Sequence, residues 1–151
     1  MKNETTNKKE YKEANGNSCP SICVNDEVLQ FKASHNQQEI IEKPWGHEVI
    51  WAACEKYVGK QLYINGGHRL SLQKHLVKEE TIMVQKGILT LVVEGLDGLE
   101  EKQLSAGESY HITPGTVHRF WAKNEPVLLV EVSTTELDDV VRYEDDYGRI
   151  Q

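Results

Sequence analysis

An all-β sandwich or barrel is the fold that this chain of 151 residues predicts. Two observations carry that expectation: short runs of alternating apolar and polar residues recur at close intervals, and turns rich in Gly, Asn and Asp separate them. No convincing amphipathic helix lies between the runs. A hydrophobic content of 38% over this length supplies one core and one domain rather than two.

Taken in order, residues 1–18 are almost all Lys, Glu, Asn, Thr and Gly, with Tyr11 as the sole aromatic. That composition buries too little apolar surface to offset the entropy of ordering, so a disordered extension is expected. Residues 19–41 read as a linker or an extra strand, with Ile22, Val24, Val28, Leu29 and Phe31 as strand formers and His35 to Glu39 as linker. The ordered domain is expected over 42–149 and opens with Pro44-Trp45-Gly46. Strands are expected at His47 to Ala52, Lys56 to Ile64, Arg69 to His75, Thr81 to Gln85, Ile88 to Glu94, Glu101 to Leu104, Ser109 to Ile112, Val117 to Trp121 and Val127 to Ser133. Turns fall at Asn65-Gly66-Gly67, Gly95 to Gly98 and Ala106-Gly107-Glu108. Trp45 and Trp51 are expected in the core, and Glu136 to Asp139 as one helical turn before an acidic ending.

The net charge of −7 argues against a nucleic-acid or anionic-membrane partner, although it leaves room for a local basic pocket. No apolar run is long enough to span a bilayer, and the first residues lack the apolar centre of a secretory signal, so a cytoplasmic location is expected. Cys19, Cys23 and Cys54 are odd in number. A lone C-x-x-x-C is a weak zinc motif, and free thiols are the expectation.

The stretch from Gly67 to Gly87 carries the chemistry. Gln73 and His75 are alternate residues and point the same way on a strand, because side chains there repeat every two residues. Glu80 follows after a short turn, and PGTVH brings His118. If His118 returns opposite the others, an amide oxygen, two imidazoles and a carboxylate converge as a mixed N/O site for a divalent metal.

The spacing is Gly, five residues, Gln73-x-His75, four residues, Glu80, six residues, Gly; then Gly, five residues, Thr113-x-Gly115, two residues, His118. It resembles the paired motifs of the cupin superfamily, with Gln73 in the place usually held by the first histidine. EKPWGHEVIW, HRLSLQKH, TPGTVHRF and VVRYEDDYGR narrow the resemblance to the cupin domain of type II mannose-6-phosphate isomerases. That domain is often found at the end of bifunctional mannose-1-phosphate guanylyltransferases.

The resemblance implies a cupin jelly roll, a double-stranded β-helix barrel. It also implies one divalent metal held by Gln73, His75, Glu80 and His118. Zinc is the first choice, and Mn, Fe, Co and Ni suit the same ligands. The implied reaction is aldose–ketose interconversion of a small-molecule sugar phosphate such as mannose 6-phosphate, by a homodimer. Lys60 and Arg69 match basic residues of that branch and are candidates for substrate oxyanions, with Arg142 as a phosphate ligand. His111 and Glu131 are the candidate acid or base residues on interior strands.

Three positions depart from the pattern: Thr113 stands for a proline, Ala122 for a frequent asparagine, and Lys78 for an arginine that the isomerase members use. The guanylyltransferase domain of the bifunctional relatives has no counterpart in these residues, so guanylyl transfer is not expected. Two other classes of function stay open: a cupin that binds a sugar or sugar phosphate without turnover, and a metal-dependent cupin of other chemistry, such as a dioxygenase.

Overall fold

The computed structural model describes residues 38–150, together with the backbone of two short strands before them. Those strands, β1 (Cys23–Val24) and β2 (Glu27–Val28), pair antiparallel inside a unit spanning Met1–His35. The extension expected to be disordered at 1–18 lies outside the described residues. A second unit, Asn36–Gln151, holds all the other elements.

Eleven strands of this second unit form two antiparallel sheets, and no helix occurs among the described residues. The larger sheet runs in the order β10 (Ser109–Ile112), β7 (Glu80–Lys86), β12 (Val127–Ser133), β5 (Val58–Ile64), β4 (Gly46–Ala53), β3 (Glu39–Lys43). The smaller runs β13 (Val141–Glu144), β6 (Leu72–Lys74), β11 (His118–Trp121), β8 (Ile88–Gly95), β9 (Gly98–Ser105). This is the two-sheet antiparallel architecture expected of a jelly roll. No helix among the described residues is long and apolar enough to cross a membrane.

Strand parity builds the core. On β7, Glu80, Ile82 and Val84 face inward while Thr81, Met83 and Gln85 face out. Leu89, Leu91 and Val93 of β8 and Val127 and Leu129 of β12 line the same interior, closed by Trp45 and Phe120. The β8–β9 hairpin turns through Leu96 and Asp97, with Gly95 opposite Gly98. Gly98 takes a φ of +119°, a conformation that favours glycine.

Several boundaries differ from the sequence reading. The ordered domain begins earlier than residue 42, because β3 pairs with β4 from Glu39 onward. The run from Arg69 contracts to β6, since Arg69 makes only a lone bridge to Trp121 and the ladder resumes at Leu72. The acidic ending supplies a strand of its own, β13, which covers the edge of β6. Glu136 to Asp139 form a hydrogen-bonded turn at Leu137 and Asp138 rather than a helical turn. Trp45 is buried as expected, whereas Trp51 is 38% exposed. Its ring lies over Gly59 on the outer side of the sheet, where an added Cβ would come within 2.5 Å of it. Cys54 is exposed and free. Cys19 lies outside the described residues.

This packing sets different costs for two truncations. Trp45→Ala removes a buried aromatic and is expected to cost about 3–5 kcal/mol. Leu96→Ala, at a fully exposed hairpin tip, is expected to stay within about 0.5 kcal/mol of the parent. Urea denaturation of both variants checks the contrast.

Candidate metal centre

The inward rows of several strands change from apolar to polar toward one cavity of about 260 Å³. On β7 the row passes from Val84 and Ile82 to Glu80, on β12 from Leu129 to Glu131, and on β5 from Ile64 and Leu62 to Lys60. Glu131 lies directly across from Lys60 in the β12–β5 ladder. From the smaller sheet, His118 pairs with Gln73, and Gln73 pairs with Arg142 on β13. Directly paired residues project to the same side of a sheet, so Gln73, His118 and Arg142 share a face.

His75, Glu80 and His118 are all buried, and one donor atom from each lies within 4.8 Å of the others. Nδ1 of His118 meets the Thr116 carbonyl at 3.0 Å, and Nδ1 of His75 meets the Asp139 carbonyl. Each carbonyl accepts a hydrogen bond from the Nδ1–H of its ring, which leaves both Nε2 lone pairs facing inward. Burial pushes the His75 imidazolium down, against the raising effect of the Asp139 carbonyl and Glu80, and so favours the neutral ring that ligation needs. Oε2 of Glu80 is taken by the Lys78 ammonium. Oε1 stands 3.1 Å from Nε2 of His118 without the alignment of a hydrogen bond. Three buried atoms are therefore left without a partner: Nε2 of His75, Nε2 of His118 and Oε1 of Glu80. Orphaned buried polar atoms are rare in folded proteins. Two imidazole nitrogens and a carboxylate oxygen facing one another form a cluster compatible with a divalent metal.

Gln73 lines the same cavity, and its side-chain oxygen accepts a hydrogen bond from Ser71 at 2.7 Å. An amide oxygen has a second lone pair for a further contact.

Lys78 is 5% exposed and lies inside the cavity, between two acids. Its ammonium donates to Glu80 and, at 2.8 Å, to Glu131. Burial works against that charge, but the Glu131 and Glu80 carboxylates outweigh it and raise Lys78 above the ordinary lysine value. Burial also works against the Glu80 carboxylate, which the Lys78 ammonium beside it holds below the usual range.

Lys60 and Arg142 also line the cavity. Lys60 is 3.6 Å from Glu48, which Lys43 approaches at 3.7 Å, while Nε of Arg142 has no partner. Lys43, Glu48 and Arg149 belong to the same lining and were not singled out from the sequence. Lys43 and Glu48 lie within the EKPWGHEVIW run, so the motif was the available signal.

Two expected site residues are placed elsewhere. His111 points outward, because the buried Ile112 fixes the parity of β10. Its ring meets Glu79 at 3.0 Å and Thr81 at 2.9 Å on the protein surface. Arg69 also lies outside the cavity lining: it holds both oxygens of Asp146, at 2.7 and 2.9 Å, and covers the face of Trp121 at 5.2 Å. It acts as a clamp on the C-terminal segment.

Residues 30–145 match the family described as Mannose-6-phosphate isomerase C-terminal. The chain belongs to this family. Relatives in sequence include the mannose-1-phosphate guanylyltransferase ManC of Salmonella typhimurium, 34% identical over 77% of this chain and 24% of that protein. The mannose-1-phosphate guanylyltransferase of Escherichia coli is 32% identical over 82% of this chain and 27% of its own length. The chain thus spans about a quarter of the length of these relatives. Among solved structures, an RmlC-like cupin from Shewanella frigidimarina superposes with a TM-score of 0.58 at 17% identity, over 73% of this chain and 96% of that one. The capsular polysaccharide assembling protein CapF from Staphylococcus aureus superposes with a TM-score of 0.63 at 13% identity, over 72% and 33%. At such identities the likeness establishes the fold, and this member of the mannose-6-phosphate isomerase C-terminal family is a cupin.

Arg149 owes its place in the lining to Asp145, which receives its guanidinium at 2.5 Å and the backbone N–H groups of Tyr147 and Arg149. Its hydrogen bond to Arg149, against the opposing effect of burial, holds the Asp145 carboxyl at about 2. A carboxyl held lower in the folded state stabilises the fold fully above its unfolded value near 3.9 and loses that contribution as pH falls toward about 2. Asp145→Asn is therefore expected to cost on the order of 1 kcal/mol at neutral pH, a figure discounted for solvent screening of the ion pair. The gap between variant and parent should close between about pH 4 and pH 2, read from denaturation curves across that range.

Proposed function

We propose that this domain is a metal-dependent sugar-phosphate isomerase that interconverts an aldose and a ketose phosphate, with mannose 6-phosphate as the reference substrate. The observation that carries the reading is the joint occupancy of one cavity. His75 and Glu80 of the buried His75–Glu80–His118 cluster, the Lys78–Glu131 pair and Arg142, whose Nε has no partner, all line the same space. Membership of the mannose-6-phosphate isomerase C-terminal family supports it.

In this reading Gln73, His75, Glu80 and His118 hold one divalent ion, zinc first. When bound, the ion supplies a Lewis acid that polarises the substrate oxygens at C1 and C2. The rest of the work falls to the chain. Isomerisation moves a proton from C2 to C1, which needs a base beside the substrate and positive charge beside the oxygen that becomes anionic. Glu131 is the base, because it is the buried carboxylate of the cavity that is not a ligand. Lys78 supplies charge rather than a proton acceptor, since two carboxylates keep its ammonium protonated. Arg142 and Lys60 receive the phosphate, and Leu137, Asp138 and Val140 form part of the cavity wall.

One observation favours a second reading, a cupin that binds a sugar phosphate without turning it over. Lys78 replaces the arginine of the isomerase members, and a lysine offers a point charge where arginine offers a planar, two-pronged donor.

The test is turnover of mannose 6-phosphate and a panel of hexose and pentose phosphates by the zinc-loaded protein. Lys78→Arg is expected to raise turnover, and Lys78→Ala to lower it about a hundredfold, the usual size for losing a charge that stabilises a developing oxyanion. Absence of turnover in all three forms, with sugar-phosphate binding retained, would establish the binding module instead. His118→Ala is expected to fold and to lose the metal, because apolar packing and not the ion holds a domain of this size. Elemental analysis of that variant decides it, and an unchanged metal content would remove His118 from the ligand set.

A further inference from the structure

The turn between the two ligand-bearing strands β6 and β7 has an anchor outside both of them. Leu76 and Val77, at its tip, expose their side chains, so core packing does not fix it. Instead the N–H groups of Leu76, Val77 and Lys78 donate to the carboxylate of Asp139, at 3.0, 2.6 and 2.8 Å. The same residue uses its backbone carbonyl to accept from Nδ1 of His75. Three consecutive backbone donors on one ionised carboxylate make a strong, directional anchor. On either side of Asp139, Asp138 and Val140 line the cavity.

We propose that Asp139 is the positioning residue of the site: one residue, between two that line the cavity, sets the tautomer of His75 and the placement of Lys78 together. The two functions depend on each other. The carbonyl can meet Nδ1 only while the carboxylate ties residue 139 to the turn, and the turn keeps Lys78 between Glu80 and Glu131 only while the carboxylate holds its amides. With the carbonyl in place, His75 carries its proton on Nδ1 and presents Nε2 to Glu80 and His118. Without it, the ring is free to place its proton on Nε2, where it would block ligation. The consequence for metal affinity rests on the metal-dependent reading above, whereas the consequence for the tautomer does not.

The experiment uses the full chain as the parent, Asp139→Ala, Asp139→Asn and Asp146→Asn. The last removes a carboxylate from the same C-terminal region, one whose partner is Arg69 and which touches no ligand. Ring nitrogen shifts of His75 are read by NMR on the metal-free protein, at a pH where imidazole is neutral. Cobalt(II) affinity is then titrated by its visible absorption. The parent and Asp146→Asn are expected to show a single Nδ1–H tautomer and equal cobalt affinity. Asp139→Ala is expected to show mixed tautomers and about ten- to a hundredfold weaker cobalt binding, the range typical of losing a group that orients a ligand. Asp139→Asn, which keeps one acceptor oxygen, should fall between, and it supplies the comparison if the alanine variant does not fold. An Asp139 variant with a pure Nδ1–H tautomer and the parent's cobalt affinity would overturn the proposal, as would an equal loss in Asp146→Asn. A parent that takes up no cobalt would sink the metal-dependent reading instead, and the tautomer result alone would then decide the role of Asp139.

Discussion

Three buried polar atoms that have only one another for company organise this cupin. Leaving a buried nitrogen or oxygen without a partner costs about 1–3 kcal/mol each. Here Nε2 of His75, Nε2 of His118 and Oε1 of Glu80 carry that cost together. The surroundings maintain it: backbone carbonyls occupy both Nδ1 atoms, and Lys78 occupies the other oxygen of Glu80. Every alternative partner of the three groups is taken, so their free valences face one point. Unpaired lone pairs concentrated in this way are compatible with a metal site.

The barrel meets that cost with the same strands that form its core. Because side chains alternate, each inward row is one continuous line, apolar at one end and chemical at the other. Val84 and Ile82 lead to Glu80, and Leu129 leads to Glu131. The rigidity of the apolar end is what fixes the polar end, since a register slip of one residue would expose Ile82 and Glu80 together. The cavity is also electrostatically graded. Lys78 is neutralised by two acids, the two lysines at Glu48 share one, and Arg142 is left with an unpaired Nε.

Much of this was legible in the sequence, and the misses have physical reasons. Gln73, His75, Glu80 and His118 were placed by spacing, Lys60 by resemblance to a basic residue of the family branch, and Glu131 as a candidate acid or base on an interior strand. His111 was assigned to the interior because β10 is only four residues long and its parity rests on Ile112 alone. Arg69 was read as part of a strand, yet its binding partner, Asp146, lies 77 residues away. Trp51 appeared to be core by its hydrophobicity, but the sheet offers it a glycine to lie on at Gly59. Asp139 was illegible for two reasons. Its partner His75 is 64 residues distant, and half of its contribution is made by a backbone carbonyl that any residue would possess.

The measurement that bears most directly on this arrangement is anomalous X-ray scattering from crystals of the zinc-loaded protein, collected on both sides of the zinc absorption edge. One peak is expected in the cavity, at about 2.0–2.2 Å from Nε2 of His75, Nε2 of His118 and Oε1 of Glu80. A cavity without a peak, or a zinc ion bound elsewhere while both imidazoles keep their Nε2 atoms free, would contradict it.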